Sequence, residues 1–219
     1  MAQYELLIHA RRAVVDGRIQ QAAVTVDGGV ISSVRTGSRA RDVGLAGDHT
    51  MDLGDDVVLM PGLVDPHVST EDVAVGTRSA AQGGITSVID YGSDGAPAAI
   101  TPEGVDAWRD AVTGESTVDV GLWGAAVPDN LGRLGDLLDR GVFGISAVAR
   151  GKGVEGAPTL DLPELLTAAE DVLGRGELFA VDAGVDVLPD LLDVVRRTSG
   201  RLHVRSVADA EELPLLRAA

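Results

Sequence analysis

The feature that most constrains this chain is an alternation that begins at Val57. Short runs rich in Val, Ile and Leu recur at 57–64, 85–90, 118–124, 142–148, 178–182 and 202–207. Longer segments of helical character lie between them, at 75–82, 102–112, 130–139, 162–173, 188–197 and 208–219. Parallel strands need crossover connections, and helices serve as those connections while covering the sheet. The pattern therefore predicts an α/β architecture of about six β/α units. Its punctuation agrees. Thr101-Pro102 reads as an N-cap with a first-turn proline, and Gly83 and Gly141 read as helix C-caps.

The residues before Val57 read differently. Tyr4 to His9 is strand-like, Asp16-Gly17 marks a turn, and Asp27-Gly28-Gly29 is a hairpin signal between 19–26 and 30–34. Residues 35–50 read as polar and irregular. The expected domains are a small antiparallel β-unit at 1–56 and a β/α unit at 57–219. So small a β-unit needs something to pack on. Aromatic residues make up only 3% of the chain, so the cores must be built from Leu, Val, Ile and Ala.

Charge and cysteine content exclude whole classes of function. The net charge of −16 disfavours nucleic acid and anionic membrane surfaces as partners. The absence of cysteine rules out disulfides, thiolate metal sites and thiol nucleophiles. No apolar run approaches the ~20 residues of a membrane span. Met1-Ala2-Gln3-Tyr4-Glu5 lacks the basic and apolar regions of a signal peptide, and the expected location is the cytoplasm. Lys152 is the only lysine among 18 basic residues, which reads as coding bias.

In α/β barrels the carboxyl ends of the strands carry the chemistry. At the first such end stands Pro61-Gly62-Leu63-Val64-Asp65-Pro66-His67-Val68-Ser69. This segment resembles the first barrel strand of the cyclic amidohydrolases: allantoinase, dihydroorotase and hydantoinase. There an Asp-x-His-x-His ending supplies two metal-binding histidines. The segment from Val118 to Leu131, with its Trp123-Gly124 pair and Pro128-Asp129-Asn130-Leu131, resembles the third-strand region of allantoinases. Gly151-Lys152-Gly153-Val154 resembles their loop after strand four. The resemblance implies an incomplete amidohydrolase-type TIM (β/α) barrel. It also implies an N-terminal β-domain forming half of a β-sandwich, whose other half is C-terminal in the family.

The residues that carry the family's chemistry depart from its pattern. The family binds two zinc ions through the paired histidines, a carbamylated lysine on strand four, histidines on strands five and six, and an aspartate on strand eight. Here His67 matches the first histidine and Ser69 replaces the second. Ser146 stands at the lysine position, Asp182 at the strand-five ligand and Arg205 at the strand-six ligand; His203 matches an earlier, non-ligand histidine. No eighth strand is read, and Ser69-Thr70-Glu71-Asp72 leads almost directly into a helix. Zinc wants about four neutral-His, carboxylate or thiolate ligands, and an arginine brings a permanent positive charge instead. Metal activation of water needs a complete ligand shell. No cofactor is therefore expected at the vestigial positions His67, Ser69, Ser146, Asp182 and Arg205.

These residues leave several roles open. His67 reads as a vestigial residue capped by Asp65 or a backbone group, against a metal ligand. Asp182 reads as the salt-bridge partner of Arg205, against a catalytic carboxylate. Lys152 reads as a solvated loop residue, against a cation turned inward. His203 reads as packing beneath the site, His9 and His49 as structural or exposed, and Asp209 to Glu212 as the first turn of a helix. The leading functional expectation is a degenerate, non-hydrolytic amidohydrolase relative with a binding or assembly role. It would act as a homodimer or in a complex with a full-length amidohydrolase, because its outer strands lack neighbours. The alternative is a metal-independent enzyme acting on a cyclic amide or ureide, with Arg205 binding and Asp182 or His67 as acid/base. A truncated gene product without a settled role is the third.

Overall fold

The computed structural model describes residues 3–38, 44–91, 99–149 and 159–219. Lys152 and its neighbours lie outside them. The chain divides into two compact units, Met1–Gly62 and Leu63–Ala219.

The first unit is a four-stranded sheet in the order β3-β2-β1-β4. It comprises β1 (Gln3–Val15), β2 (Arg18–Asp27), β3 (Val30–Thr36) and β4 (Ala46–Leu53). Asp16-Gly17 and Gly28-Gly29 form the two hairpin turns, all four residues at positive φ, as the primed turns of two-residue loops require. The expectation of irregular chain over 35–50 is corrected: β4 pairs parallel with β1, so the sheet is mixed rather than antiparallel. Polar residues such as Asp48 and His49 hid that strand, because most of it is solvent-exposed. Residues 57–60 are not the first barrel strand either. Leu59 belongs to the first unit, where it bridges Ala13; its N–H donates to Arg12 O and its carbonyl accepts from Val14 N, both at 2.8 Å.

The second unit is half of a (β/α) barrel. Its strands are β5 (Leu63–Val68), β6 (Ile85–Asp90), β7 (Asp119–Ala125), β8 (Gly144–Val148), β9 (Leu178–Asp182) and β10 (Arg201–Val204). They form one parallel six-stranded sheet in chain order. Five helices follow the connections: α1 (Val73–Gln82), α2 (Pro102–Val112), α3 (Leu134–Asp139), α4 (Leu162–Gly174) and α5 (Leu188–Arg197); α6 (Glu212–Ala218) comes after β10. Thr101 caps α2 as expected, its hydroxyl accepting from Gly104 N at 3.1 Å. Asp161 and Glu164 cap α4 reciprocally, at 3.0 and 2.8 Å. Gly83 is the C-cap of α1 as expected, and Gly84 after it takes the left-handed conformation. The single helix expected over 130–139 is a 3-10 turn (Pro128–Asn130) and the short α3, separated by Gly132 at φ +78°. Asn130 holds that turn: its Oδ1 accepts from Val127 N, and its Nδ2 donates to Ile100 O and Ala125 O.

Side-chain alternation divides the second unit's interior in two. Ile145, Ala147, Phe179 and Val181 pack toward the helices, against Leu165, Ala168, Ala169, Val172 and Leu173 of α4. Those α4 positions recur at helical spacing and form one apolar stripe. The intervening strand positions point the other way. Ile89, Trp123 and Ala180 form a second, smaller core with Tyr91 and Leu178. This inner layer is tight. A Cβ at Gly144 would sit 2.8 Å from Trp123 Cζ3 and 2.6 Å from the Leu178 carbonyl oxygen. The backbone oxygen cannot yield as a flexible side chain would. Gly144→Ala is therefore expected to destabilise the fold by about 1–3 kcal/mol, the usual range for overpacking. Urea titration checks this, and a wild-type midpoint would show that the inner layer is looser.

Candidate functional site

The carboxyl end of the half-barrel begins with an irregularity in β5. Asp65 and Val68 pair with Val88 and Asp90, so β5 carries one residue more than β6 across that interval. This is a β-bulge, and Pro66, which has no N–H to give the ladder, sits in it. The bulge frees the Pro66 carbonyl, which accepts from Trp123 Nε1 at 2.9 Å. Asp65 Oδ1 accepts from the His67 backbone N–H at 3.1 Å. Asp65 thus caps the backbone of His67 rather than its ring.

An aromatic row follows from that arrangement. Trp123 stacks on Tyr91 with ring centroids 5.2 Å apart and planes 9° from parallel. Phe143 meets the indole edge-on at 5.2 Å, and His67 lies against Tyr91 at 4.4 Å, tilted by 55°. Arg205, just after β10, places its guanidinium carbon 4.9 Å from the centre of the Tyr91 ring. Three strands separate β10 from β6 in the sheet, so only a strong curl brings Arg205 to a residue that ends β6.

The expected pairing of Asp182 with Arg205 does not form. Asp182 accepts a 2.5 Å hydrogen bond from Ser206 Oγ, and no ion pair joins it to Arg205 among the described residues. The long arginine side chain reaches across to the ring, while the short serine next to it serves the carboxylate. Ser146 is buried within β8, Ser69 is exposed after β5, and His203 is exposed on β10 rather than packed beneath the site. Asp90 is buried and accepts from Thr70 Oγ1 at 2.6 Å. The structure thus gathers His67 and Arg205 at one mouth, with Asp65, Asp182 and His203 within electrostatic reach of His67.

Among the described residues, the side chains at the positions matched to the family's ligands do not make the donor set of a two-zinc centre. Among the described residues no three His, Asp or Glu side chains converge as a ligand shell. Of the five positions matched to the family's ligands, two are serines and one is a guanidinium, which donates hydrogen bonds and repels a cation.

Tyr91, Trp123 and Phe143 were not recognised in the sequence as site residues. Their scarcity was the available signal: the chain has two tryptophans, two tyrosines and two phenylalanines, and three of these meet here.

The comparisons with known proteins extend over both units. No family model matches the chain. An allantoinase of Streptomyces avermitilis is 31% identical across 99% of this chain and 56% of its own length. A probable allantoinase of Oryza sativa subsp. japonica is 34% identical across 69% of this chain and 31% of its own length. Among solved structures, the L-hydantoinase (dihydropyrimidinase) of Arthrobacter aurescens superposes with a TM-score of 0.83 at 19% identity, covering 98% of this chain and 55% of that one. In sequence and in fold the chain is similar to the cyclic amidohydrolase superfamily. Within it, the curated relatives it resembles are allantoinases, and it spans about half of their length or less.

Two side chains at the mouth are shifted from ordinary ionisation. Burial raises the Tyr91 pKa; the Arg205 charge and the close approach of its guanidinium to the phenol oxygen oppose that rise, although no hydrogen bond of good geometry closes between them. Partial burial lowers the His67 pKa below 6.5, and Arg205 and His203 lower it further, while Asp65 and Asp182 push upward. A base with a depressed folded pKa contributes stability above its unfolded value and loses it as pH falls through the folded one. Acidification from about pH 7.5 to about 5 should thus lower the urea midpoint of the wild type more than that of His67→Gln. Removing a positive neighbour in Arg205→Met should raise the His67 pKa measured by NMR. A wild-type value at or above 6.5 would contradict the arrangement.

Proposed function

We propose that this chain is a non-hydrolytic member of the superfamily whose barrel mouth binds rather than hydrolyses. The observation that carries the reading is the Arg205 guanidinium over Tyr91. A fixed cation stands in the mouth, just after the strand where the resemblance puts a zinc-binding histidine. A guanidinium has no coordination position for water and does not lower its pKa as a bound metal does. The serines at positions 69 and 146 add only weak donors to His67 and Asp182. Protein purified from zinc-supplemented cells should therefore carry substoichiometric zinc by elemental analysis and leave allantoin and hydantoin intact. Two zinc ions per chain with chelator-sensitive turnover would refute the reading. Turnover that survives chelation would favour a metal-independent hydrolase instead.

Assembly is the second part of the proposal. Among the described residues β5 and β10 each have one neighbour in the sheet, and Leu63 and Val64 of β5 are 48% and 58% exposed. On β10, Arg201 N and Arg205 N donate to β9, so the alternating N–H groups of Leu202 and Val204 face outward. Apolar edges with free N–H groups invite pairing. The first unit adds an apolar cavity of about 350 Å³ beside the exposed Ile31 and Met60. A second copy of the chain is the proposed occupant, with a longer amidohydrolase as the alternative. Sedimentation at low micromolar concentration should give a dimer. Val204→Pro, which removes an outward N–H, should weaken it if β10 forms the interface. A wild-type monomer would rule out self-association.

A further inference from the structure

Arg205 Nε and the Tyr91 hydroxyl are both buried, and neither has a hydrogen-bond partner among the described residues. They belong to side chains in direct contact, at the centre of the aromatic row. Buried donors are nearly always paired, by protein, water or ligand. Two unpaired donors side by side point to a missing acceptor. We propose that the half-barrel mouth is a binding site for a small planar carboxylate, held between the Arg205 guanidinium and the Tyr91 hydroxyl. This rests on the metal-free reading of the mouth.

The chemistry selects the ligand class. An arginine presents its donors as a flat fork that matches a carboxylate in two-point contact. The nearest internal carboxylate on the adjacent strand, Asp182, is engaged by Ser206. The described part of the mouth offers one guanidinium, whereas phosphate sites gather several cations or backbone N–H groups. The surrounding rings of His67, Tyr91 and Trp123 suit a flat apolar body attached to the carboxylate. Such a ligand combines one negative charge, two acceptor oxygens and an sp² or aromatic framework.

The indole N–H of Trp123 reports on this site, since it bonds Pro66 and its ring stacks on Tyr91. NMR of the full chain, with the Trp108 signal identified by Trp108→Phe, should show a saturable shift of the Trp123 signal with benzoate. Benzamide, its neutral counterpart, should leave the signal unmoved. Arg205→Met should raise the benzoate Kd at least about tenfold, as loss of a charged hydrogen bond does. Tyr91→Phe keeps the ring and its stack, and should raise Kd about threefold to tenfold. Equal responses to benzoate and benzamide, or an unchanged Kd in Arg205→Met, would overturn the proposal. Inorganic phosphate binding as tightly as benzoate would overturn the carboxylate assignment. Chelation separates the two readings. Binding that disappears with EDTA means that a metal holds the anion, and both readings fail. No benzoate binding by protein shown to be zinc-free defeats this inference alone.

Discussion

The second unit depends on one interaction above the others, the seating of the Trp123 indole on the inner face of the sheet. Its Nε1–H ties β7 to the Pro66 carbonyl of β5, with β6 between them. Its six-membered ring lies over Gly144 of β8. One side chain therefore reaches strands on both sides of its own, which a flat sheet with strands ~4.8 Å apart would not allow so compactly. The curl then carries Arg205 to Tyr91. Remove the indole, and the bulge at Pro66 loses its partner, Tyr91 loses its stacking surface, and Gly144 faces a void.

The bulge gives this interaction its position. A regular β5 would direct the Pro66 carbonyl along the sheet. The extra residue against β6 turns it inward and brings His67 beside Tyr91. The residues that the resemblance marks as metal positions and the aromatic residues to which it gives no ligand role are thus parts of one local geometry. The bulge sets that geometry and Trp123 fastens it.

Much of the fold was legible because it follows from periodicity. α2 and α5 begin and end where turn chemistry and apolar spacing put them. β6 and β9 occupy the residues read as apolar runs. The misreadings share a cause. β4 is a largely exposed strand, so its sequence lacks the apolar signal that strand recognition uses. Within 57–60, Leu59 serves a different core, with Ala10, Ala13 and Ala22, while Val57 and Met60 are exposed. The site was legible only by position. The resemblance placed His67, Asp182 and Arg205 at strand ends, but which side chains meet is set by the curl, a property of the whole sheet. Local sequence favoured an Asp182–Arg205 pair on adjacent strands. The folded unit instead carries the arginine across the mouth to an aromatic face.

That exchange bears on what such a mouth can do. A metal ion and a guanidinium both supply positive charge, but they hold it differently. A metal binds through electron-pair donors and leaves room for an exchangeable ligand. A guanidinium is tethered, planar and satisfied only by acceptors placed in its plane. Its carbon can sit over a ring, as it does over Tyr91, while its N–H groups still require hydrogen bonds. Stacking on Tyr91 therefore leaves Arg205 Nε without a partner, and the Tyr91 hydroxyl is left in the same condition. In the low dielectric of a partly buried site, an unpaired donor is destabilising in proportion to its burial. On the reading proposed above, the mouth is organised to receive an acceptor in a set orientation, a property that needs no metal.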